Sequence, residues 1–422
     1  MSDPFSGGFD PRMFEQVPLF RELAKVMSWT GGPVNWELGR QTAEALTSST
    51  GSTSIGPAAS TSATDFEAAV GVAELWLDPV MSLPRVDGPI RALSPTEWVR
   101  LATTPEGLGR YVEPVAEGMG AAMNQAMQDM GELGGMGAMS EQLQAMSSAG
   151  GPNPFAQAMG AVGAMLYGLQ VGTISGNLAG QLLGCYDLGV PITPANLVGT
   201  VGETAAAFAS DYGIDPMQLH HWLALREAAH RRIFVGVPWL ETRVTELIRR
   251  FAAEADFDPQ SMMGPMGLMG LDPSDPDAIQ SALEGPDAFR LEPSTAQRGV
   301  LDELQALVSF VEAYGDTVVR SAAGQRLPDL PRVEEALRRR RAEKGPGERF
   351  LQQLVGLDLE PAHIRQAQTF CDAVLKARGQ EGLERMWRRA EHLPTLDELA
   401  DPSRWLVRMA AAELDEGDLP PV

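Results

Sequence analysis

The stretch Leu219–Leu240, LHHWLALREAAHRRIFVGVPWL, decides how the rest of the chain is read, because it holds three of the five histidines at a spacing that a helix would organise. Within it lies Arg226-Glu227-Ala228-Ala229-His230. In the zinc-binding pattern H-E-x-x-H, two histidines one turn apart share a helix face and grip Zn²⁺. The glutamate after the first histidine then acts as general base on the metal-bound water. Here Glu227 and His230 stand in place, and the first histidine is Arg226, a permanent cation. The spacing predicts a zinc-type helix with one ligand exchanged.

A catalytic zinc takes three protein ligands and a water. Glu312, in Leu307-Val308-Ser309-Phe310-Val311-Glu312-Ala313-Tyr314, is the candidate third ligand, a carboxylate set in the apolar stripe of its helix. An unpaired acid there is costly, and Arg226 is its natural partner. The expected arrangement is an Arg226–Glu312 or Arg226–Glu227 ion pair where a metal would sit. The guanidinium would also repel a divalent cation. His221 is nine residues before His230 and faces the other side of the helix, while His220 is more than two turns away. Neither replaces the lost ligand. His363 and His392 are isolated and read as exposed or capping histidines.

The 422 residues carry 33 basic and 56 acidic side chains, a net charge of −23. That balance argues against nucleic acid and anionic membrane surfaces as partners. Cys185 and Cys371 are too few for a disulfide framework and read as buried thiols of a reducing compartment. The N-terminus lacks the basic start and apolar run of a signal peptide, so a cytoplasmic location is expected.

Most of the chain has helical periodicity. Met13–Trp29, Pro33–Thr47 and Asp65–Pro79 read as helices, with the uncharged link Ser48–Thr64 between the last two. Ser94 as cap, Pro95 at the first position and Glu97 three residues on predict a capping box. Strand signals are weak, with one candidate at Arg85–Leu93. Pro154–Tyr186 reads as one long helix of small and apolar residues lacking charge before Asp187. Its glutamines, threonine, serine and asparagine argue against a membrane span and for burial against other helices. Leu197–Tyr212, Gln297–Ala322 and Pro331–Lys344 read as further helices, with the basic run Arg338–Arg341 as a solvated face. The expected fold is mostly α, with little or no sheet. Five regions follow: a helical region 1–117, a Met/Gly-rich insertion 118–153, core helices with the motif 154–255, a Gly/Pro/Met-rich insertion 256–292, and a C-terminal helical region 293–422 that completes the cleft.

Several of these stretches together resemble a known family. They are Leu183-Gly184-Cys185-Tyr186-Asp187, Trp222–Arg231, Pro238-Trp239-Leu240, Val311-Glu312-Ala313-Tyr314, Leu393-Pro394-Thr395 and Asp401–Trp405. They are similar to the zincin-like proteins of actinobacteria, called zinc-dependent metalloproteases or linked by name to coenzyme F420 biosynthesis. The resemblance implies a mostly helical zincin fold, with Glu227 as base and His230 and Glu312 as zinc ligands. Members with the full motif carry a histidine where this chain has Arg226. The expectation is therefore a pseudo-enzyme that has no cofactor and keeps its cleft for a peptide or protein ligand, with Glu227 a vestigial base. The alternative is an active zinc-dependent hydrolase with a rearranged ligand set, in which His230 and Glu312 bind zinc.

Overall fold

The computed structural model describes residues 31–49, 63–118, 120–121, 154–187, 189–254, 294–342 and 361–417. The helix expected at Met13–Trp29, most of the link Ser48–Thr64 and nearly all of both Met-rich insertions lie outside the described residues.

The described chain is helical, with one small sheet. In order run α1 (Trp36–Ser49), α2 (Ala63–Leu77), β1 (Ile90–Leu93), α3 (Pro95–Ala102), a π-type turn (Pro105–Gly109), α4 (Pro154–Ala179), β2 (Val198–Val201), α5 (Gly202–Tyr212) and α6 (Pro216–Gly236). They are followed by α7 (Leu240–Ala253), α8 (Thr295–Ala323), α9 (Leu330–Ala342), α10 (Pro361–Glu384), α11 (Leu396–Ala400) and α12 (Pro402–Gly417). The capping box at α3 forms as its residue types dictate: Glu97 N–H donates to Ser94 Oγ, and Glu97 Oε2 accepts from Ser94 N–H at 2.9 Å.

The core is built around α6 and α8. Asp215 caps α6 by accepting from Gln218 N–H, with Pro216 in the first turn, and a second capping box, Ser294 with Gln297, starts α8. From Trp222 to Phe234 every α6 side chain is buried, against α2 on one side and α8 on another. A helix apolar on all faces but for Arg226, Glu227, His230, Arg231 and Arg232 must bring partners for those five into the core. Two are supplied by Glu74 of α2, which accepts from Arg231 Nη2 at 2.8 Å and from Arg232 Nε at 2.8 Å.

The expected long helix ends sooner than its composition suggests. α4 stops at Ala179, and the chain from Gln181 to Gly199 leaves it to wrap the motif helix. Its glycines do admit close helix packing. A Cβ on Gly172 would fall within 3 Å of the Gly39 backbone and of Thr42 Cβ, and one on Gly168 would strike the carbonyl of Asn35. None of the described helices is long and apolar enough to cross a membrane.

Leu197–Tyr212, expected as one helix, divides into β2 and α5. Val198–Val201 pairs in parallel with β1 in the register Ile90–Val198 to Leu93–Val201. On its other edge Gly184 forms an antiparallel bridge with Thr200. All four β2 residues are buried, which is why an apolar run this short carries no readable alternation. His392 is also a correction: it is buried, with its Nδ1 against the carbonyl of Arg385 at 3.0 Å, and its own carbonyl accepts from Trp405 Nε1. In the basic run, Arg338 and Arg339 do face solvent beside Glu335, but Arg340 turns inward to Asp187 Oδ2 at 3.0 Å.

Candidate functional site

Arg226, Glu227, His230 and Glu312 come together where α6 crosses α8. All four are buried, at 2%, 1%, 0% and 4% exposure. Arg226 and His230 lie one turn apart on the α6 face toward α8, as a spacing of four requires. The Arg226 Nη2 donates to both Glu312 oxygens, at 2.7 and 3.0 Å, and to the carbonyl of Tyr186 at 3.3 Å. Its Nη1 reaches Asp316 Oδ1 at 3.4 Å, and the guanidinium lies 5.9 Å from the Trp222 ring centre. Burial alone would lower the guanidinium pKa. Glu312 and Asp316 outweigh it and raise the value, so the group stays charged.

His230 is held as metal-ligand histidines usually are, with one ring nitrogen tied to a backbone carbonyl. Its Nδ1 stands 2.9 Å from the carbonyl of Arg226, which requires that nitrogen to donate. In the neutral ring the lone pair is then on Nε2. That atom is buried and makes no hydrogen bond; Glu312 Oε1 is 3.4 Å away, a near contact.

Glu227 points elsewhere. Its Oε1 accepts from Tyr186 N–H at 3.0 Å, and its Oε2 from Cys185 N–H at 3.0 Å and Gly199 N–H at 3.3 Å. The carboxyl therefore joins α6 to the covering segment and to β2. Burial raises its pKa to about 7, against the pull of the three N–H donors. The same burial, with Glu227 nearby, pushes the Cys185 thiol up, so that cysteine is inert.

Gly184–Asp187 and Gly189–Gly199 close over this cluster; Gly184 and Gly189 make that closure possible, and Gly315 lets α8 approach His230. Gly189, at φ +75°, would place a Cβ 2.6 Å from Glu312 Oε1. A Cβ on Gly315 would meet His230 Cε1 at 2.7 Å, and one on Gly184 would overlap the Glu227 carboxylate. Tyr186 packs on His230, with ring centres 5.7 Å apart, and its hydroxyl donates to the carbonyl of Ala195. Arg340 fastens the outside of the segment through Asp187.

His221 stacks on Trp76 at 5.8 Å and lies away from the cluster, while His220, His363 and His392 take no part in it. Two members escaped the sequence reading. Asp316, one turn after Glu312, carried a signal in that spacing. The covering glycines carried none, because the atoms they accommodate lie far along the chain.

The chain belongs to the zincin-like metallopeptidase family, whose model matches residues 34–406. A solved structure from Chloroflexus aurantiacus, of a candidate hydrolase with a novel fold, is similar with a TM-score of 0.59 and 22% identity, covering 89% of this chain and 99% of that one. At that identity the likeness speaks for the fold. A search of the curated proteins found no match.

A family of this name implies zinc, and the residues present can be tested against it. His230 Nε2 and Glu312 Oε1 are two convergent donors. Arg226, beside them, is a cation that engages both oxygens of the same Glu312. Glu227 is committed to three backbone N–H groups. This donor set falls short of the three ligands a catalytic zinc takes.

Proposed function

We propose that this chain is a non-catalytic member of its family, in which the Arg226–Glu312 ion pair fills the place of the metal. The observation that carries the reading is the guanidinium seated on both Glu312 oxygens at 2.7 and 3.0 Å in a buried site. An arginine does not lose its proton in proteins, so this cation cannot shed its charge as a lysine could. The retained function is binding. A peptide or protein segment is the ligand, taken up on the surface beside the closed cluster, and the cytoplasm is the setting.

In this reading the cluster is a structural node. Arg226 draws α8 onto α6 through Glu312 and Asp316, and Glu227 draws the covering segment onto the same helix. His230 keeps the posture of a ligand because its Nδ1 bond to the α6 backbone does not depend on metal. The measurement is zinc content, by mass spectrometry, of protein purified without chelator. The expected value is far below one zinc per chain.

A second reading has its own observation: two donors, His230 Nε2 and Glu312 Oε1, still stand 3.4 Å apart. With Arg226 swung out, they are the start of a rearranged zinc hydrolase site. One zinc per chain in the unmodified protein would favour this reading.

A further inference from the structure

We propose that a surface groove at the C-terminal end of α6 is a docking site for a short extended peptide in which a lysine or arginine is flanked by apolar side chains. This deepens the reading of the chain as a binding protein and rests on it, since it names the class of ligand.

The groove encloses about 490 Å³ and lies one turn beyond His230. It is lined by Phe234 and Val235 of α6, by Glu106 and Arg110, by Asn196 and by Glu241. Phe234 also stacks on Tyr186, the residue that seals the buried cluster, at 6.0 Å between ring centres. Val235 is 39% exposed, which leaves an apolar side chain facing solvent within a concave surface. Pro105, Pro194, Pro238 and Val237 also line it and offer apolar contact to the inward-turned side chains of an extended chain.

Charge selects the ligand. Arg110, the cation among the lining residues, is consumed by the protein. Its Nε donates to the carbonyl of Gly107 at 3.1 Å, its Nη2 to the carbonyls of Glu106 and of Thr193, the latter at 3.3 Å, and its Nη1 to Glu241 Oε1 at 3.1 Å. The Glu106 carboxylate has no ion pair among the described residues. The last turn of α6, which ends at the groove, carries no basic residue. On a chain of net charge −23, these features favour a cation beside an apolar contact.

The test is fluorescence anisotropy on the full chain with excess chelator present. The probe is a fluorescein-labelled seven-residue peptide of alternating lysine and leucine. Its partner probe has glutamate in place of each lysine. The lysine peptide is expected to bind and to weaken as salt rises, and the glutamate peptide to bind at least tenfold more weakly. Val235→Lys, a change at an exposed position, should weaken the lysine peptide at least fivefold, and Glu106→Gln should weaken it about threefold, with melting curves matching the parent. Equal binding of the two peptides, no binding of either at about 1 mM, or Val235→Lys binding like the parent would each overturn the assignment. Chelator removes zinc from the comparison, so these outcomes are separate from the zinc content that tests the non-catalytic reading.

Discussion

Replacing Arg226 with methionine tests whether the ion pair is a structural node. The side chains of Arg226 and Glu312 are 3% and 5% exposed, so removing the cation strands a carboxylate that has lost its principal donor. The neutral His230 ring, whose Nε2 lies 3.4 Å from Glu312 Oε1, presents a lone pair there and not a donor. Breaking a buried pair from one side costs about 3–5 kcal/mol, whereas replacing both partners with apolar groups of similar size costs far less. Arg226→Met should therefore lower Tm by roughly 6–10 °C, at about 2 °C per kcal/mol for a large domain. Arg226→Met combined with Glu312→Met should recover at least half of that loss. Lowering the pH should also rescue the single variant, because protonation removes the stranded charge. Calorimetric melting of parent, both single variants and the double at two pH values supplies the cycle. A single variant that melts within about 1 °C of the parent would refute the reasoning, as would a double variant no more stable than Arg226→Met.

Two further outcomes follow from the packing and the buried carboxyl. Glu227 has a folded pKa of about 7, above its ordinary 4.5. The fold then favours the protonated form: this contribution is fully present below about pH 4.5 and is lost as pH rises to 7, on the order of 3 kcal/mol. Parent stability minus that of Glu227→Gln, by urea denaturation, should thus shrink over that window; a difference that grows would mean that the three N–H donors outweigh burial. Gly172→Leu should destabilise by more than about 3 kcal/mol through overpacking against Gly39 and Thr42. Gly160→Ala, with open space at its Cβ, should be neutral or stabilising by up to about 1 kcal/mol. Equal melting shifts for the two would remove α4 from the close-packed part of the molecule.

The fold and the pairing at its centre were legible where the chemistry is local or where burial leaves one answer. The Ser94–Glu97 box follows from residue types three apart. The Arg226–Glu312 pair follows from a carboxylate in an apolar stripe, which needs a cation, and from an arginine on the facing helix. Glu227 was legible as a position and not as a contact. Its partners are backbone N–H groups of Cys185, Tyr186 and Gly199, which have no signature in side-chain sequence. The end of α4 at Ala179 was hidden for a related reason: the next residues stay apolar because they cover the site. β2 was hidden by its length of four residues, too short to show a period. His392 was misread because its buried setting comes from α12, through Trp405, and not from neighbours in sequence.

Zinc affinity measured by calorimetry decides whether the Arg226 guanidinium stands in the place of a metal. The comparison is between the parent, Arg226→His, and Arg226→His combined with Glu312→Ala. Arg226→His removes a fixed positive charge and restores a neutral imidazole beside His230 and Glu312, so it should bind zinc at least about a hundredfold more tightly than the parent. The added Glu312→Ala change should abolish most of that gain. Tight, stoichiometric zinc binding by the parent, or equal affinity in all three proteins, would show that Arg226 does not take the place of a metal.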